Sequence, residues 1–175
     1  MTLSSDEFPK FQSDRLSFKL HASEQHLKNL KHIELRYGDL NSTIARMSAE
    51  MEIDSLISQM IGTVDSLLFR INDRFRLGIP TNKVEMDKVQ SGLSAQTKRI
   101  DLLADLDKAS QYGNWYWTIK QLRNYSLHES LISDQALELS PDFKFHVKLI
   151  PYFEKSLGYL TRLIENIKLK EELLQ

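Results

Sequence analysis

Apolar residues recur along most of the chain at steps of three and four, the period of a helix with one buried face. The longest run is Ile44, Met47, Met51, Ile57, Met60, Ile61, Val64, Leu68, Ile71 and Phe75. It predicts one long helix, capped by Asn41 or Ser42, stopped by Gly78 and Pro80, with these residues facing the core. A shorter helix is predicted from about Ser23 to Tyr37, closed by Gly38. Before it, Leu16, Phe18 and Leu20 alternate with polar residues, so residues 1–20 read as an extended N-terminal segment. After Pro80, Asn82 with Glu85 three places on forms a variant capping box. The helix it opens carries Val84, Leu93, Ile100 and Leu103 inward, with Gly92 a weak point of about 1 kcal/mol relative to alanine.

Trp115, Ile119, Leu122 and Ser126 mark the inner line of a fourth helix ending near Glu129. "LISDQALELSPDF" reads as a loop, and Ser140, Pro141 and Asp142 read as the start of the last helix. Pro151 is expected to kink or divide that helix, whose apolar face continues through Phe153, Leu157, Leu160, Ile164 and Ile167. The predicted fold is therefore all-α, a bundle of about five helices with a kinked C-terminal helix. After the extended segment, residues 21–175 form one domain, an expectation in keeping with 175 residues.

Charge and composition narrow the function. The formal net charge is -1, so a protein that grips nucleic acid through a broadly basic surface is excluded and any contact must be local. The most basic stretch runs from Arg70 to Arg99. Within it, Arg70, Arg74 and Arg76 are candidate RNA-binding residues, although cations at a helix C-terminus also offset its dipole. With no cysteine, disulfides and thiolate metal sites are excluded, and the five histidines have no ligand spacing, so neither metal nor cofactor is expected. The N-terminus lacks a secretory h-region and no apolar run nears the roughly 20 residues of a membrane span, so the expectation is a cytoplasmic protein without membrane contact. Tyr112, Trp115, Tyr116 and Trp117 lie too close in sequence to face inward together, which leaves one or two for the surface or a partner chain.

The polar side of the fourth helix holds the most specific chemistry. In "RNYSLHE", Asn124 and His128 are four residues apart and share a face, so the amide can fix the imidazole tautomer. Arg123 is five before His128, about 140° away around an ideal helix. The two meet if the helix unwinds at its end, if the guanidinium curls round, or if a second chain supplies the partner. Such a histidine can move the proton of a ribose 2′-OH while the arginine stabilises charge on the phosphorane-like transition state. Arg15 and His21 fit the same loose pattern, but the extended segment around them makes that pair a decoy.

Arg123, Asn124 and His128, in an all-α chain, resemble the hallmark of the HEPN superfamily: Arg, a polar residue, a short spacer and His. The resemblance implies a homodimer whose motifs face each other, with Arg123, Asn124 and His128 as catalytic residues of a metal-independent endoribonuclease. It also implies a toxin or phage-defence setting, with an antitoxin or neighbouring-gene partner. Ser130 stands where toxins paired with minimal nucleotidyltransferase antitoxins often carry tyrosine, which sets the chain apart from that subgroup. Members without catalysis act as interaction or RNA-binding modules, the alternative for this chain.

Overall fold

The computed structural model describes residues 14–38, 40, 43–96, 100–128 and 149–172. Six α-helices carry these residues: α1 (Arg15–Tyr37), α2 (Thr43–Arg74), α3 (Met86–Ser94), α4 (Ile100–Ser110), α5 (Trp115–His128) and α6 (Leu149–Glu172). A 3-10 turn at Thr81–Lys83 precedes α3, and there is no strand among the described residues. The all-α expectation stands. None of the described helices is long and apolar enough to cross a membrane.

The extended reading of residues 1–20 is corrected over Arg15–Leu20, which form the first turns of α1; residues 1–13 lie outside the described residues. Asp14 caps this helix, its Oδ1 accepting the N–H groups of Leu16 at 3.1 Å and Ser17 at 3.3 Å. Leu16, Ser23, Leu27 and Leu30 are buried at helical spacing, while Phe18 is 42% exposed. Leu16 and Leu20 are one turn apart as well as two alternations apart. A helix already supported by Leu27 and Leu30 extends backward through them at little cost, because propagation is cheap once nucleated.

α2 is the spine of the bundle and touches α1, α3, α5 and α6. From Ile53 to Ile71 its apolar residues are buried on nearly every side. Its first three turns differ from expectation: Ile44, Met47 and Met51 are 75%, 76% and 67% exposed. The buried line there runs through Ala45 and Ala49 instead, small side chains that let the helix pack closely with its neighbour. Beyond Arg74 the chain reverses through Arg76 and Gly78, with φ of 50° and 72°. The Asn72 amide fixes this turn, donating to the Ile79 carbonyl at 2.8 Å and accepting its N–H at 3.0 Å.

The single helix predicted from Asn82 is divided into the 3-10 turn, α3 and α4. Glu85, not Asn82, occupies the N-cap of α3, without a side-chain hydrogen bond. Gly92 has a packing reason: a Cβ there would stand 3.3 Å from Leu77 Cδ1. α6 is continuous from Leu149 to Glu172, with Pro151 in its first turn, where a missing N–H breaks no intrahelical bond. The loop predicted over "LISDQALELSPDF" and the helix start at Ser140 lie outside the described residues. Phe153 of α6 is fully buried, and Lys170 ties the far end of that helix to Asp105 of α4 at 2.7 Å.

Candidate functional site

α5 presents two unlike sides. Tyr116, Thr118, Ile119 and Leu122 are buried, whereas Lys120, Arg123 and Asn124 are exposed. The helix runs antiparallel to α2: its start, at Tyr116, feels the charge of Asp65, and later Ser126 Oγ donates to Asp54 at 2.6 Å. The same hydroxyl lies 3.1 Å from the Arg123 carbonyl. One proton cannot serve both fully, and the carboxylate is the stronger and nearer acceptor. Ser126, predicted on the inner line, therefore fastens α5 to α2 one turn beyond Arg123.

Asp65 of α2 is the carboxylate coupled to the α5 cations. The protein packed around it raises its pKa by desolvation even though much of its surface meets solvent. Lys19, Arg123 and Lys120 oppose that rise by their positive charge. Three cations from α1 and α5 thus converge on one acid of α2. Lys19 reaches it by crossing Gly62, where a Cβ would collide with the ammonium. This explains a glycine in the middle of a helix that otherwise loses about 1 kcal/mol by carrying one. Burial also raises the Tyr116 pKa, reinforced by the charge of Asp65 and opposed by Arg123. Its phenol stays neutral and acts as packing.

From Arg123 to His128 the backbone is regular α-helix. Unwinding within this stretch is therefore not how the two side chains meet, and they leave the helix about 140° apart. A curled guanidinium or a second chain remains. The side chains of Tyr125, Leu127 and His128 lie outside the described part, and with them the Asn124–His128 hydrogen bond. The ground for dismissing Arg15 and His21 is corrected too, since both lie on α1. There His21 Nδ1 is 3.7 Å from Glu24.

Arg70, Arg74 and Arg76 are exposed, but they do not join the α5 motif. Arg74 is nine residues beyond Asp65, roughly 14 Å along the α2 axis, and Arg76 lies past the helix end. Arg70 leaves α2 about 140° around from Asp65. The cations that accompany Arg123 are Lys120, three residues before it on the same helix, and Lys19 of α1, which spacing along α5 could not reveal. Tyr112, as expected of the aromatic cluster, is outside, 77% exposed with its ring 4.5 Å from Trp117.

A second concave region lies between α4, the α4–α5 turn and α6, with a volume of about 660 Å3. The turn is held by Asn114 Nδ2, which donates to the Lys108 carbonyl at 2.6 Å, with Gly113 at φ 78°. No protein-family model, curated protein or solved structure matches the chain.

Proposed function

We propose that this chain is a metal-independent endoribonuclease of HEPN type that works as a homodimer. The observation that carries the proposal is the convergence of Arg123, Lys120 and Lys19 on one exposed face, with the sequence Arg-Asn-x3-His ending the same helix. An excess of cations at one place supplies locally the phosphate affinity that a net charge of -1 denies the protein as a whole. His128 takes the proton of a ribose 2′-OH, the 2′ oxygen attacks phosphorus, and the bond to the 5′ oxygen breaks. The leaving oxygen takes up a proton from the second histidine of the dimer, giving a 2′,3′-cyclic phosphate and a 5′-hydroxyl. Arg123 stabilises charge on the phosphorane-like transition state, Asn124 orients the imidazole, and Lys19 with Lys120 holds neighbouring phosphates. A toxin or phage-defence role, held in check by an antitoxin, accords with this chemistry.

Cleavage of end-labelled RNA in EDTA by wild type and His128→Ala is the test. Wild-type cleavage to a cyclic phosphate, lost in His128→Ala and reduced at least 100-fold in Arg123→Ala, is expected. Equal cleavage by wild type and His128→Ala removes the motif from the chemistry. The second reading, a non-catalytic interaction module, is favoured by the exposed Ile44, Met47 and Met51. It takes over if neither protein cleaves and RNA affinity is absent at low salt.

A further inference from the structure

The groove between α4 and α6 is separate from the α5 motif, and its lining alternates two kinds of side chain. Along one face of α6, Tyr152, Lys155, Tyr159 and Arg162 follow at steps of three, four and three, aromatic then cation twice over. Across the groove stand Lys108 of α4 and Trp115, the first residue of α5. Tyr159 is 39% exposed, and Lys155 Nζ lies 5.9 Å from its ring centroid, so charge and aromatic face already form one unit.

The charge balance inside the groove is unequal. Asp105 is the acidic residue of the lining, and it is occupied: Lys170 holds it at 2.7 Å while also approaching Asp101 at 3.5 Å. Among the described residues Lys108, Lys155 and Arg162 form no ion pair. An apolar ligand would leave three ammonium and guanidinium groups without counter-charge. A simple anion would leave the aromatic faces unused. A ligand with a planar base and a phosphate satisfies both, because bases stack on aromatic rings and phosphates draw Lys and Arg. The volume suits a ligand of this size, within the range of roughly 300–1,000 Å3 usual for small-molecule sites.

We propose that the α4–α6 groove binds a nucleoside phosphate, its base against Tyr159 and Trp115 and its phosphates on Lys108, Lys155 and Arg162. The site stands whether or not α5 is catalytic. The ligand is either a free nucleotide or one unit of a single strand.

The test measures binding to the full-length protein by calorimetry and tryptophan fluorescence, with ATP, inorganic triphosphate and an oligodeoxyadenylate. The last has no 2′-OH and cannot be cut by the proposed ribonuclease chemistry, so failure of that reading leaves this experiment intact. Wild type is expected to bind ATP or the oligonucleotide more tightly than triphosphate. ATP alone identifies a free nucleotide, and the oligonucleotide alone identifies a strand. Lys155→Glu with Arg162→Glu should weaken binding at least about tenfold, and Tyr159→Ala about fivefold or more. These side chains are exposed or half-exposed, and circular dichroism confirms that the variants fold. Absence of binding by wild type overturns the proposal. So does undiminished binding by the double variant, or triphosphate binding as tight as ATP with no effect of Tyr159→Ala.

Discussion

The α5 face and the α4–α6 groove each set three cations near an acid, Asp65 and Asp105, yet they handle that acid differently. On the α5 face Asp65 stands among Lys19, Lys120 and Arg123 and feels all three. In the groove Asp105 is drawn off by Lys170, which leaves Lys108, Lys155 and Arg162 for a ligand. Count of charges is thus a poor guide to affinity for an anion. What matters is whether the carboxylate is engaged by a cation that lies outside the site, because an internal acid competes with the incoming phosphate.

The largest effect expected is loss of the wall that carries the groove cations. Phe153 is fully buried, and Phe153→Ala should destabilise the fold by about 3–5 kcal/mol, read as a lower urea midpoint. A loss under about 1 kcal/mol would mean that α6 is not packed into the core as described.

Lys170→Met gives a smaller change and sharpens the comparison, since it releases Asp105 and makes the groove resemble the α5 face. Nucleotide affinity in the groove should fall about three- to tenfold, whereas stability changes by about 1 kcal/mol or less, as expected for an ion pair near the surface. An unchanged affinity would show that Asp105 does not compete with the ligand.

The converse is Asp65→Asn, which makes the α5 face resemble the groove, and RNA affinity at low salt should rise a few-fold with a steeper salt dependence. It also has a pH signature. Because folding raises the Asp65 pKa from 3.8, the native state holds that proton more tightly than the unfolded chain. Wild-type stability should therefore fall as pH rises from about 4 through the folded pKa, relative to Asp65→Asn.

Asp14 has the opposite sign. Burial opposes ionisation there, but hydrogen bonds from Ser17 and Leu16, helped by Lys168, outweigh it and lower the pKa from 3.8. Its contribution is present above that value and is lost as pH falls through the folded pKa. Unfolding curves of wild type, Asp65→Asn and Asp14→Ala between pH 2 and 7 separate the two. Identical pH profiles for wild type and Asp65→Asn would remove the electrostatic coupling described for that face.

Helical period, the cap at Gly38 and the extent of α5 were all legible from local sequence, because spacing along one helix determines which side chains share its surface. Local pattern misled at Leu16–Leu20, where alternation and helical spacing coincide, and at Ile44, Met47 and Met51, where a correct helix was given the wrong inner face. Amphipathic spacing names a stripe but does not say where neighbouring helices make contact. The small residues Ala45 and Ala49 decided that contact through close packing.

By itself, then, the sequence determined that the chain is helical and that Arg123, Asn124 and His128 stand on one helix. Tertiary structure alone decided their company. Lys19, Asp65 and Lys120 belong to three helices, as do Lys108, Trp115 and Tyr159, and no spacing rule spans such distances. Long-range packing brings them together because α2 must bury its sides against several helices at once, and the polar residues at the edges of those contacts become neighbours as a consequence.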